Sequence, residues 1–327
     1  MKIQTMCKSA YLALALAGYL IGTAALQPGD ALAGEGGGSA YLQGTYGDFQ
    51  AGVFGPSGFY FRNDLTYYDA SLGARPQGGR VAAEIDQTVW LNGFKFAYLT
   101  DNKLFGARTG YAITIPLVYA DVGAEGSVPE VGVDLFRSGS TSGFADIYLN
   151  PLLLNWASGN DHFTFAPGIN IPVGKYDVDN QINLGRNYWA LDLAGSWTYF
   201  NPSSGFEISA TAGVLINDRN PDTEYKTGTE FHLDWNVSQF FSETFGIGLT
   251  GYVYDQLSDD DGRLAGGLTA DDFDGFRGSG WGLGPAVLKT ASVGGTAVNF
   301  IAKAIFDIDS KKRVKGDLFM ISASLKF

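Results

Sequence analysis

Cysteine occurs once in these 327 residues, at Cys7, and nowhere from residue 34 onward. A disulfide framework is excluded, so an exported chain of this kind needs another source of stability. Histidine occurs twice, as His162 and His232, and no grouping of residues has metal-ligand spacing. Charge is sparse too: 17% of residues are charged, against about a quarter in a soluble domain. Basic residues are the scarcer sign. Without Lys2, Lys8 and Asp30 of the first 33 residues, 20 basic residues face 33 acidic ones, a net charge of −13. Phosphate neutralisation needs a basic surface, so nucleic acid is not an expected partner. After residue 33 no apolar run reaches the length of a membrane helix.

The first 33 residues stand apart. Lys2 and Lys8 precede the apolar run "YLALALAGYLIGTAAL", and "ALA" at Ala31 to Ala33 offers small residues for cleavage before Gly34. This is the pattern of a secretory signal peptide. Cys7 lies inside it without the context of a lipid-attachment site. The organisation expected is a signal peptide over 1–33, an N-terminal segment over 34–58 and the main domain over 59–327.

The main domain is rich in what strands and turns use, with 17 Tyr, 23 Phe and 45 Gly. Twelve segments of 12 to 18 residues alternate apolar and polar residues, at about 59–71, 83–99, 104–120, 143–156, 162–173, 188–200, 205–217, 227–240, 244–256, 278–290, 296–308 and 315–327. In "GFEISATAGVLIND", Phe206, Ile208, Ala210, Ala212, Val214 and Ile216 share one face, and Glu207, Ser209 and Thr211 share the other. Such segments are long for soluble strands and fit tilted strands that cross a bilayer. The connections alternate long and short, as they do between the two ends of an outer-membrane barrel. Aromatics near strand ends (Trp156, Trp189, Trp197, Phe240, Trp281) fit interfacial girdles. In hydrocarbon a closed barrel satisfies every backbone donor and acceptor without an edge. The sequence therefore predicts an all-β fold, a transmembrane antiparallel up-and-down β-barrel of about twelve strands. Its location would be the bacterial outer membrane, with outer-membrane lipid and lipopolysaccharide as surroundings.

The stretch "YLQGTYGDFQAGVFGPSGFYFRNDLTYYD" from Tyr41 to Asp69 resembles the opening of a bacterial family of phenol meta-pathway degradation proteins. "GFADIYLNPLLLNW" and "FAPGINIPVGKYD" resemble later blocks of it. The resemblance implies outer-membrane, transporter-like barrels encoded near aromatic-catabolism genes. Hydrophobic or aromatic compounds as solutes come from that resemblance, not from the strand pattern.

With apolar positions set outward, the expected lumen and solute-path residues are Tyr60, Arg62, Asp64, Tyr68, Trp90, Arg108, Tyr148, His232 and Asp234. Asp192, Glu207, Glu230 and Lys303 join the same inward set. The bland reading is an ion-pair network that fills the lumen. The sharper one is an aromatic path of Tyr60, Tyr68, Trp90 and Tyr148, with Arg62 or Arg108 meeting a carboxylate or phenolate. Residues 34–58 would form either a plug or a flexible periplasmic lead, and Tyr41, Tyr46, Phe49 and Phe54 favour packing. The loop holding Asp259, Asp260, Asp261, Asp271, Asp272 and Asp274 lacks calcium-loop spacing and reads as a solvated acidic surface. His232, Asp234 and Ser238 lie near one another in sequence, but no G-x-S-x-G accompanies them, so no catalytic residue, enzyme activity, metal or cofactor is expected. The expected role is a channel for passive uptake of small hydrophobic, aromatic solutes. The alternative is a structural or adhesive barrel with a sealed lumen and working acidic loops. The closing "GDLFMISASLKF" ends a strand, and Leu325 and Phe327 resemble the signal that outer-membrane assembly machinery reads.

Overall fold

The computed structural model describes residues 34–35, 38–73, 83–128, 133–180, 182–262 and 277–327. The signal peptide expected over 1–33 lies outside the described residues, as do Asp271, Asp272 and Asp274.

Twelve antiparallel strands close the wall. They are β1 (Gly58–Gly73), β2 (Ala83–Leu104), β3 (Ala107–Val128), β5 (Ile147–Ser158), the interrupted pair β6 (Asp161–Phe165) and β7 (Gly168–Ile171), then β8 (Ala190–Asn201), β9 (Phe206–Asn217), β10 (Glu230–Ser242), β11 (Phe245–Gln256), β12 (Ser279–Val293), β13 (Thr296–Lys311) and β14 (Lys315–Lys326). β1 pairs with both β2 and β14, so the sheet has no free edge at the chain ends. Pro167, which has no N–H to give a ladder, sits in the break between β6 and β7. Asn150 Nδ2 donates to the Ala166 and Pro167 carbonyls there, at 3.3 and 3.1 Å.

One strand departs from the sequence reading. β4 (Val133–Phe144) extends the β3 ladder beyond the wall, from Leu117↔Phe144 to Val128↔Val133. Its sequence, rich in Gly and Ser, carries little alternation and reads as part of a long loop. Backbone pairing needs no apolar side chain, so a hairpin forms there without that signal.

Short turns (Phe105–Gly106, Gly159–Asn160, Glu243–Thr244, Gly294–Gly295) lie at one end of the barrel with Gly58 and Lys326; most longer connections lie at the other. In outer-membrane barrels the turn end is periplasmic. The two faces of the wall invert a soluble protein. Leu65, Phe96, Leu193, Ile216, Leu249, Val253, Phe300 and Ile321 are exposed on the outside, whereas Glu207, Glu230, His232, Asp234, Asn236 and Lys303 are buried inside. This apolar coat requires lipid, and the polar interior requires partners. Those partners come largely from residues 38–57, which run through the barrel.

Candidate functional site: the occupied lumen

The N-terminal segment enters the wall at Gly58 on the turn end, and residues before it climb toward the loop end. Ser57 Oγ donates to Asp101 over 2.5 Å, and Arg108 Nη1 to the Gly55 carbonyl over 2.9 Å. Higher up, Asn155 Nδ2 and Thr164 Oγ1 donate to the Gly52 carbonyl, at 2.8 and 2.9 Å. Gln50 N–H donates to Glu207 at 2.8 Å, and Thr250 Oγ1 to the Gly47 carbonyl at 2.8 Å. Ser39 Oγ reaches Glu230 at 2.7 Å. Strands from opposite sides of the barrel thus bond one segment. Inward polar residues satisfy a backbone that has no ladder of its own.

Two constellations follow. The first joins Asp48 of the segment to the wall. Asp48 pairs with Arg62, and with Lys303 at 2.8 Å. Arg62 also bonds Asp64 at 2.6 Å and Ser322 at 3.1 Å, and Lys303 donates to the Gly44 carbonyl at 2.8 Å. Burial alone would raise the Asp48 carboxyl, but Arg62 and Lys303 outweigh it and hold Asp48 well below the usual carboxylate range.

The second is aromatic. Tyr41 lies over His232 with ring centroids 4.4 Å apart and planes within 16°, and Tyr46 lies over the same imidazole at 5.5 Å. Tyr254 is nearly parallel to Tyr41 at 6.2 Å, and Arg313 caps Tyr254 at 3.6 Å. The Tyr41 hydroxyl donates to Asp234 Oδ2 at 2.8 Å, and Tyr148 to Asp192 Oδ2 at 2.8 Å. Asp192 Oδ1 lies 3.1 Å from His232 Nε2, so that nitrogen carries the hydrogen toward the carboxylate. A Cβ at Gly213 would stand 2.3 Å from His232 Nε2, so only glycine on β9 leaves the ring its place. Along β10, His232 Nδ1, Asp234 Oδ1 and both amide atoms of Asn236 are buried without a hydrogen-bond partner among the described residues.

Of the residues the sequence singled out, Arg62 and Asp64 join the first constellation, and Tyr148, His232 and Asp234 the second. Tyr60 and Arg108 stand at the turn end, where Tyr60 donates to the Pro56 carbonyl at 2.6 Å. Tyr68 is buried among Tyr41, Tyr252 and Leu318. Trp90 is a correction. The register Tyr67↔Trp90 puts it on the outer face, 46% exposed, with its ring 4.7 Å from that of Tyr67. Asp86, on the same face of β2, is exposed opposite Ser71. Ser238 donates to Glu207, while the His232 nitrogens face Asp192 and Asp234. The sequence reading did not place Tyr41, Tyr46 or Asp48 at the site. Aromatics in a segment otherwise rich in Gly were the available signal. Phe327 N–H donates to the Phe59 carbonyl at 2.9 Å, and its ring is exposed; Leu325 pairs with Phe61 in the β1–β14 seam.

Among solved structures the chain is similar to an outer membrane channel from Pseudomonas putida F1, at 14% identity, a TM-score of 0.65, and coverage of 87% of this chain and 98% of that one. At this identity the likeness concerns the fold. A FadL homologue from Pseudomonas aeruginosa aligns at 9% identity and a TM-score of 0.43, over 83% of this chain and 90% of that one. No functionally curated protein matches. A family model described as "Putative MetA-pathway of phenol degradation" matches residues 70–323, and the chain belongs to that family.

Proposed function

We propose that this outer-membrane barrel is a channel for passive uptake of small aromatic compounds, phenols foremost. One observation carries the reading. The chain holds its own phenol inside the lumen: the Tyr41 ring lies on His232 and its hydroxyl donates to Asp234. A free phenolic solute meets the same chemistry, a flat ring to stack on and a carboxylate to accept its O–H hydrogen bond. The unpartnered Asp234 Oδ1 and Asn236 amide offer further hydrogen bonds beside it. Membership of a phenol-degradation family supports the solute class. Passage would require residues 38–57 to shift, with solute replacing tyrosine. No energy source is required, since intracellular metabolism removes the solute and maintains its gradient.

The second reading, a sealed structural barrel, is favoured by the many bonds that tie the segment to the wall. Uptake of labelled phenol at limiting concentration separates the two. A strain lacking the protein should take it up several-fold more slowly, with recovery on complementation. Equal uptake in both strains, together with phenol-impermeable liposomes carrying the protein, would establish the sealed barrel instead.

A further inference from the structure

The N-terminal segment reaches a built pocket at the loop end. Gly34 is buried, and its backbone nitrogen donates to Asp260 Oδ2 over 2.8 Å. Asp260 is itself 4% exposed. It accepts three more hydrogen bonds, from the Tyr225 hydroxyl at 2.5 Å, Gly228 N–H at 2.7 Å and Gln256 Nε2 at 2.6 Å. The acidic loop read as solvated therefore holds one residue of a different kind. Asp259 pairs with Arg277 and Asp261 with Arg219, both near the surface. No lysine or arginine is within ion-pair distance of Asp260 among the described residues. Burial pushes its carboxyl up, and the hydrogen bonds from Tyr225, Gly228, Gly34 and Gln256 oppose that. A buried carboxylate surrounded by neutral donors lacks its counter-charge.

The sequence supplies one at this atom. Ala31 and Ala33 place a leader-cleavage site immediately before Gly34. We propose that cleavage there turns the Gly34 nitrogen into an α-ammonium group bound by Asp260, so that the newly made amino terminus latches the inner segment to the outer mouth. The step is hydrolysis by the leader peptidase of the export pathway. Water adds across the Ala33–Gly34 amide, leaving a carboxylate on Ala33 and an ammonium on Gly34.

The surroundings fit an amino terminus. An ammonium brings a full charge and three hydrogens where an amide brings one. A Cβ at position 34 would lie 2.5 Å from the Gly38 carbonyl oxygen, so the pocket admits glycine. The next residue is held on three sides. Glu35 N–H donates to Thr227 Oγ1 at 3.2 Å, its carboxylate accepts from Asn220 at 2.8 Å and Thr223 at 2.5 Å, and its carbonyl accepts from Arg186 at 3.3 Å. The pocket unites two connections, since Tyr225 and Gly228 follow β9 and Asp260 follows β11. A bridge between Lys226 and Asp261 joins the same pair. In a precursor the Gly34 nitrogen is a neutral amide and brings Asp260 no charge. The outer mouth therefore sets only after export is complete. This inference does not depend on which solute the barrel passes.

The test uses mature protein extracted from outer membranes. Sequencing and intact mass should show a free Gly34 as first residue. An unperturbed α-amine has a pKa of about 7.7–8.0, and each unit of upward shift lowers the reactive free base about tenfold at pH 7. With an N-hydroxysuccinimide acetate probe, the wild-type α-amine should react at least about tenfold more slowly than that of a Gly-Glu-Gly-Gly peptide. Asp260→Asn should remove most of that protection while the barrel stays heat-modifiable on gels, the sign that it has closed. Inserting one alanine between Ala33 and Gly34, with Asp260 intact, should do the same. A first residue other than Gly34, a wild-type amine reacting at the peptide rate, or equal rates in wild type and Asp260→Asn would each overturn the proposal.

Discussion

Leu249 and Thr250 are adjacent in β11 and face different solvents. Leu249 is exposed on the outer face, while Thr250 is wholly buried and donates to the Gly47 carbonyl of the inner segment. The two-residue period of the strand makes this switch at every step. A charge at Leu249 would have to enter hydrocarbon. Leu249→Arg should destabilise the folded barrel by about 2–4 kcal/mol in reversible urea unfolding from phospholipid bilayers. A loss within the error of the measurement would mean that this face does not meet lipid. The same scale explains Trp90, whose indole joins Tyr67 outside instead of lining the lumen.

At the scale of the element, the inner segment takes the place that a packed core has in a soluble protein. Its anchor is Asp48, held between Arg62 and Lys303, and Lys303 is almost fully buried. The folded pKa of Asp48 lies below its ordinary value. Its contribution is therefore complete above the unfolded pKa of about 3.9 and is lost as pH falls through the lowered folded value. The segment should resist pepsin at pH 4 and become cleavable at Tyr41, Tyr46, Phe49 or Phe54 only in stronger acid. Asp48→Asn leaves the buried Lys303 without its carboxylate while Arg62 keeps Asp64, a change that costs about 3–5 kcal/mol where a buried pair is broken. Chymotrypsin should then cut the segment at neutral pH. A variant as resistant as wild type would show that the backbone bonds to the wall suffice without Asp48.

For the whole molecule, closure depends on the β1–β14 seam, which runs from Tyr60↔Lys326 to Ser71↔Lys315. Phe327 adds one backbone bond to Phe59 and leaves its ring exposed at the rim. So little contact gives the ring a small part in stability, and its proposed part is in assembly. Deleting Phe327 should lower the amount of folded protein in the outer membrane several-fold while uptake per folded molecule stays unchanged. Wild-type levels of the deletion in a membrane fraction would count against the assembly role.

Strand number and position were legible because lipid outside and polar groups inside impose alternation on nearly every wall strand. β9 and β10 are the clearest cases. β2 was legible as a strand but not in its facing. Phe94, Phe96 and Tyr98 point outward, yet Val89, Leu91, Ala97 and Leu99 on the inward face are apolar as well. Leu99 packs with Leu153 and Ala112 against Phe54 of the inner segment. A lumen occupied by protein accepts apolar side chains, so polarity no longer tells inside from outside, and only the register with β1 does. Composition and local period thus determined a disulfide-free membrane barrel. The tertiary structure decided which residues meet across the lumen, Tyr41 with Asp234, Asp48 with Lys303 and Gly34 with Asp260. These partners are separated by about two hundred residues or more, and no local pattern encodes a contact made only when the barrel closes around its inner segment.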